Sequence, residues 1–229
     1  MAESAWWYLS HLDLFERLPQ EVRERLRSRA RVAEFGGRTQ IELREDGAEV
    51  YVLASGCAKL LRVGWLGRRI VDDFLTAGDV FGRVTLGTRS APRELQTVEP
   101  TQVLCVARDD FLSAMRDASD FAFHVTQLIE QRERRLERRI ESLLFKDVRT
   151  RVIETIVQLA RDHGDRCEHG WAVDVRVNQQ DIADLVGASR QIVSRVLREL
   201  EFKLYLRRKG RVICIISLAR LTRLCDGLS

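Results

Sequence analysis

Apolar positions change their period repeatedly along this chain, and each change marks a different kind of structure. Between residues 11 and 31, Leu14, Leu18, Val22 and Leu26 recur at helical spacing, and Pro19 is placed to open the second of two short helices. From 32 to 108 that period gives way to short runs rich in Val, Leu and Ile: Glu49–Ala54, Ala58–Val63, Arg69–Leu75 and Gln102–Ala107. Turn signals at Gly36-Gly37, Asp46-Gly47, Ser55-Gly56, Gly67 and Gly78-Asp79 separate them, the pattern of an antiparallel sandwich or barrel. The helical period returns over 109–145, and its longest stretch runs from about Asp120 to Phe145. There Ile129, Leu136 and Leu143 fall seven apart, with Val125 and Ile140 flanking the same line. A narrow apolar seam of this kind suits pairing with a second helix, although packing on its own domain would leave the same mark. Gln131, Arg132 and Arg135 make its centre polar.

Lys146-Asp147 reads as a hinge, followed by an amphipathic helix over Val148–Arg161. A polar loop, Asp162–Gly170, leads to a short strand, Ala172–Val177. Residues 178–200 then form two amphipathic helices around a tight turn at Gly187-Ala188. Asn178 is an N-cap for the first and Ser189 for the second. Ile182, Ala183, Leu185 and Val186 make the inward face of the first; Ile192, Val193, Val196, Leu197 and Leu200 make that of the second. The opposite face of the second carries Arg190, Gln191, Ser194 and Arg195, side chains that reach base edges and phosphates in a major groove. A surface hairpin with a merely solvated polar face has the same local pattern, since helix-turn-helix signals are short and tolerant. Arg207–Ile216, turning at Lys209-Gly210, reads as a wing behind it.

Charge favours the DNA-reading alternative. The 229 residues carry a net charge of +4, but 146–229 hold 16 Lys and Arg against 11 Asp and Glu, whereas 1–145 hold 22 against 23. A basic module is thus joined to a nearly neutral remainder. No apolar run approaches the ~20 residues of a membrane helix, and the first residues lack a signal-peptide pattern, so a cytoplasmic protein is expected. Cys57, Cys105, Cys167, Cys214 and Cys225 are scattered without metal spacing, as reduced structural thiols would be. No paired carboxylates, nucleophile elbow or phosphate loop supports an enzyme.

The order helix, barrel, long seam helix and winged helix-turn-helix resembles the cyclic-AMP receptor protein/FNR (CRP/FNR) family of bacterial transcription regulators, from about Leu14 to Leu224. The matching text is Gly47-Ala48-Glu49-Val50-Tyr51-Val52-Leu53-Ala54-Ser55-Gly56 and Leu75-Thr76-Ala77-Gly78-Asp79-Val80-Phe81-Gly82 in the barrel. In the DNA module it is Gln180-Asp181-Ile182-Ala183-Asp184-Leu185-Val186-Gly187, then Ser189-Arg190-Gln191. The resemblance implies an α+β chain: a cyclic-nucleotide-binding-like jelly-roll sensor domain over 1–118, a dimerisation helix over 119–145, and a winged helix-turn-helix over 146–229. It implies a homodimer paired through Val125, Ile129, Leu136, Ile140 and Leu143, reading two half-sites of a palindromic operator in double-stranded DNA. It also implies an activator that recruits RNA polymerase through the barrel and the Asp162–Gly170 loop, although a repressor would have the same sequence.

By the same resemblance Arg190, Gln191, Ser194 and Arg195 contact bases, Gln180 and Ser189 hold phosphates, and Lys209 and Arg211 lie on the wing beside the DNA. Where Gln191 stands the family usually has Glu, which accepts from cytosine N4. Gln both donates and accepts and suits adenine N6 and N7, so one half-site base is expected to change.

The barrel departs further. The family's ribose-binding Glu is replaced by Arg83, directly after Gly82. Its Arg-Ser phosphate pair falls, by register, on Arg93-Glu94, while Arg89-Ser90 comes too early. Glu94 beside a cyclic phosphate would repel it, so cyclic AMP is not the expected ligand. Three alternatives stay open. The barrel is an effectorless scaffold; or it binds another anion through Arg83, Arg89, Ser90, Arg93, Arg132 and Arg135; or it senses redox state or a haem ligand. Haem would need axial ligands from among His11, His124, Cys57 and Cys105, which show no pairing pattern, and no cysteine cluster precedes residue 57 for an iron–sulfur centre. His163, Cys167 and His169 share one loop but lack a fourth metal ligand. The competing class is a ligand-sensing signalling module whose main role is not DNA readout.

Overall fold

A computed structural model of the chain describes residues 13–16, 18–43, 48–64, 69–84, 93–168, 170–173, 177–209 and 212–226. The chain divides into two compact units, Met1–Glu133 and Arg134–Ser229.

The first unit opens with α1 (Asp13–Glu16) and α2 (Gln20–Arg29). Eight strands follow: β1 (Arg31–Phe35), β2 (Gln40–Glu42), β3 (Glu49–Ser55), β4 (Cys57–Val63), β5 (Arg69–Thr76), β6 (Val80–Gly82), β7 (Arg93–Thr97) and β8 (Thr101–Ala107). They form two antiparallel sheets, ordered β1-β8-β3-β6 and β2-β7-β4-β5, the nested pairing of a jelly roll. Then come α3 (Arg108–Asp117) and the start of α4 (Ser119–Phe145).

Strand β3 explains the sandwich. Tyr51 and Leu53 pack between the sheets with Leu60, Phe81, Leu95 and Val103. Val50, Val52 and Ala54 point the other way, onto Phe15, Leu26, Phe111 and Phe121 of the helices. Both faces are therefore dry, and the strand reads as an unbroken apolar run rather than an alternating one. Val125 is fully buried in this helical layer, so it belongs to the core of its own unit and not to the seam.

Between β3 and β4 the chain passes from one sheet to the other through Gly56, at φ +86°. Only glycine takes that conformation without strain, and here the backbone of Pro100 and Thr101 lies against it.

The second unit contains the end of α4, α5 (Val148–His163), β9 (Gly164–Cys167), β10 (Gly170–Val173), α6 (Gln179–Val186), α7 (Arg190–Phe202), β11 (Leu206–Lys209), β12 (Val212–Ile215) and α8 (Leu218–Asp226). Its sheet runs β11-β12-β10-β9, wholly antiparallel. Asp147 caps α5, accepting from the Thr150 amide at 2.8 Å, so that one helix ends at Phe145 and the next starts at Val148, either side of Lys146-Asp147.

Two expectations are corrected here. The segment Asp162–Gly170 is not a loop: α5 continues to His163, and Gly164–Cys167 is a strand paired with β10. As an edge strand it has a partner on one side only, so its composition carries no apolar alternation to signal it. The strand expected at Ala172–Val177 is Gly170–Val173, and 174–176 lie outside the described residues.

Candidate nucleic-acid interface

The two helices of the reading head are fixed at their ends by local chemistry. The Asn178 side chain accepts from the amides of Gln180 (2.8 Å) and Asp181 (3.0 Å), and the Asp181 carboxylate accepts from the Asn178 amide at 2.8 Å. That reciprocal box satisfies amide groups at the N-terminus of α6 that would otherwise lack partners. Gly187 ends the helix at φ 62°, ψ 42°, a left-handed cap that turns the chain within two residues. Ser189 then starts α7 by accepting from the Ile192 amide at 3.4 Å.

On α7, Val193, Val196, Leu197 and Leu200 are buried, whereas Arg190, Gln191, Arg195 and Arg198 are exposed and Ser194 is half-buried. Four base-reading candidates thus lie on the outward side, held by a buried apolar stripe. Ile192 is corrected: it is 37% exposed and lies beside the stripe rather than in it. Gln180 is exposed and donates to Asp184 of its own helix at 2.8 Å, and Ser189 is exposed. The Lys209 backbone ends β11; its side chain, and all of Arg211, lie outside the described residues.

One structural contact was not anticipated. Arg208 on the wing strand pairs with Glu201 near the end of α7. Hydrogen bonding from Arg208 holds the Glu201 carboxyl below its usual range, and the same bond raises the Arg208 guanidinium. This ties wing to recognition helix beside a 420 Å³ groove lined by Asn178, Gln180, Arg190, Arg208 and Val212. An Arg-Glu pair seven residues apart across a turn leaves no periodic signal in sequence.

In the first unit a second charged site forms inside the barrel. Arg62 on β4 lies directly opposite Arg93 on β7. Like charges so placed are unfavourable unless something offsets them. Asp72 does so for Arg62, at 3.0 and 3.1 Å. Arg132, from α4, lies 3.9 Å from Asp72 and 3.6 Å from Asp73. Burial first, then the charge of Arg132, push the Arg93 guanidinium below its ordinary value, with Arg62 and Arg83 adding to the effect and Asp72 opposing it. Of the expected pocket set, Arg83, Arg93 and Arg132 are thus gathered, and Arg62 joins them. Gly82 adjoins the Tyr51 ring. Arg89 and Ser90 lie outside the described residues, and Arg135 belongs to the second unit.

Glu94 is corrected. It does not share a face with Arg93: successive strand residues point to opposite sides. Its buried carboxylate is gripped by Arg69 at 2.6 and 3.1 Å and by Gln40 at 2.5 Å. The hydrogen bond from Arg69 holds its carboxyl below the usual range. Glu94 is therefore held by Arg69 and Gln40 on the strand face opposite Arg93.

The thiols are mostly recessed. Cys57 and Cys105 are buried, and burial pushes the Cys105 thiol up to about 11. Cys167 lies on β9; the side chain of His163 and all of His169 are outside the described residues, as is His11, while His124 is half-buried on α4. Among the described residues no helix is long and apolar enough to cross a membrane.

A capped helix-turn-helix with a wing, preceded in the chain by a jelly roll with a charged interior, defines a DNA-binding regulator. Comparison with known proteins gives the family. Residues 37–118 match the cyclic nucleotide-binding domain, and 150–224 match the Crp-like helix-turn-helix domain. The chain is 31% identical to the global nitrogen regulator of Synechococcus elongatus, over 73% of this chain and 78% of that protein. It is 29% identical to the CRP-like cAMP-activated global transcriptional regulator of Mycobacterium tuberculosis, over 82% and 84%. The structure of FixK2 from Bradyrhizobium japonicum shares the fold, with a TM-score of 0.73 at 22% identity over 85% of this chain and 96% of that one. The chain belongs to the CRP/FNR family and is a DNA-binding transcription regulator.

Proposed function

We propose that the chain works in the cytoplasm as a homodimer on a two-fold operator, with Arg190, Gln191, Ser194 and Arg195 reading each half-site, and that it activates transcription by contacting RNA polymerase. The observation that carries this reading is the outward face of α7, where three of the four candidates are exposed although the helix is anchored by four buried residues. Pairing through α4 is supported by Ile129, Leu136, Ile140 and Leu143, which are 51%, 37%, 57% and 39% exposed on a 27-residue helix. Apolar side chains in such a line are stable in water when a second helix covers them. The activator role rests on family resemblance, with the β9–β10 hairpin and the barrel as the surfaces it would use.

Selection of operators from random duplexes tests the reading. Wild type should return an adenine at the position Gln191 faces, and Gln191→Glu should move the preference to cytosine by about 10- to 100-fold. The same base returned by both proteins would defeat the assignment. Loss of all duplex binding at low salt would favour a signalling module instead.

For the barrel, the positive field that Arg132, Arg62 and Arg83 place on Arg93, which Asp72 offsets only in part, supports an anionic ligand over an empty scaffold. Cyclic AMP bound in the family manner is disfavoured by Arg83: a guanidinium only donates, whereas the replaced carboxylate accepts from ribose hydroxyls. Inorganic phosphate should raise the thermal midpoint progressively, as any ligand of the folded state does. Arg93→Leu should raise the ligand-free midpoint and abolish the phosphate response. An undiminished response in the variant would remove Arg93 from the site.

A further inference from the structure

We propose that Arg139 is a positioning residue that sets the half-site spacing the regulator accepts, by clamping the helix-turn-helix onto the C-terminal part of α4. The proposal rests on the homodimer reading above. Arg139 Nε donates to the Leu185 carbonyl at 2.9 Å and Nη2 to the Asp184 carbonyl at 3.1 Å. These carbonyls belong to the last turn of α6, where backbone acceptors have no partner within the helix and the helix dipole is negative. A planar, permanently charged fork suits both features and fixes direction as well as distance.

Three further contacts lock the same region of the chain. One turn on, the Leu143 side chain lies 3.1 Å from where a Cβ on Gly187 would sit, so the turn of the helix-turn-helix rests against α4. Ser142 donates to Glu154 of α5 at 2.7 Å, and Lys146 pairs with that same carboxylate. Leu136 and Ile140, the exposed seam positions, bracket Arg139 on this segment. The helix that would meet the second copy is thus the one to which the reading head is clamped.

A rigid clamp turns the dimer into a ruler. Half-sites one DNA turn apart are separated by about 34 Å, and one inserted base pair moves a half-site by about 3.4 Å and rotates it about the helix axis. A fixed reading head must then lose contacts or deform the DNA. One that swivels on α4 absorbs the change.

The test measures binding of the full chain to operators of native spacing and of spacing altered by one base pair, for wild type, Arg139→Met and Arg139→Lys. Methionine keeps the aliphatic stem but neither donor; lysine keeps the charge without the fork. Wild type should discriminate by about 100-fold, Arg139→Met by about 10-fold less, and Arg139→Lys should fall between. Base preference within each half-site should not change in either variant. A purely structural defect would weaken every operator equally and leave the spacing ratio intact. That outcome, or wild-type ratios in both variants, overturns the proposal alone. A wild type that ignores spacing and binds single half-sites as a monomer overturns the homodimer reading and the proposal with it.

Discussion

Arg195→Ala is expected to weaken operator binding by roughly 30-fold to 10⁴-fold on the proposed dimeric readout, in which a bidentate guanine contact worth about 1–3 kcal/mol is lost from both half-sites. The side chain is exposed on α7, one residue before the buried Val196, so its truncation leaves the apolar stripe untouched. The loss should therefore appear in binding and not in the thermal midpoint. Specificity should relax at one guanine per half-site while the neighbouring positions keep theirs. Quantitative binding to operators carrying each base at that position checks this. A uniform loss across all four bases would instead make Arg195 a phosphate contact, with a lower salt slope as its signature.

Gly56→Ala is expected to destabilise the barrel by about 2–5 kcal/mol, a large share of an ordinary domain's stability. Two costs combine. Alanine resists a φ of +86°, and its Cβ would fall 2.5 Å from the Pro100 carbonyl oxygen and 2.9 Å from the Thr101 Cα. Both are backbone atoms, so no side chain can swing aside to make room. Gly36→Ala is the control, since a Cβ there meets only the Thr39 hydroxyl at 3.7 Å. Urea unfolding of the two variants should separate them clearly. Equal midpoints would show that the β3–β4 corner relaxes more freely than its geometry implies.

The reading head was legible in the sequence because its determinants are local. Asn178, Gly187 and Ser189 act within three or four residues of their own position, and the buried stripe of α7 follows the helical period. Ile192 fell outside that stripe because a helix of this width buries only part of an apolar run, and which part depends on what it packs against. The exposed apolar line on α4 was legible in the same way, except at Val125. Periodicity shows that Val125 shares a side with Ile129; it does not show that the first unit's own core covers one and leaves the other open.

The barrel interior shows the opposite case. Arg62 and Arg93 are 31 positions apart and meet only because β4 pairs with β7 in one particular register. Shifting that register by one residue would bring the Glu94 face to the interior instead. Glu94 and Arg93 are neighbours in the text yet belong to different surfaces, a separation that the family register alone does not show. Arg139 is the extreme example. Its partners are backbone carbonyls 45 and 46 residues away, which no side-chain pattern announces.

The amino-acid sequence by itself determined the caps and turn of the helix-turn-helix, most of the strands and helices though not the edge strand β9, and which face of α7 is free to meet DNA, because capping, turn geometry and apolar period act over a few residues. Only the tertiary structure decided which charges gather in the barrel, which way Glu94 faces, and what holds the reading head to its helix. Those outcomes depend on strand register and on packing between distant segments, and the energy that selects them resides in contacts that exist only once the chain has folded.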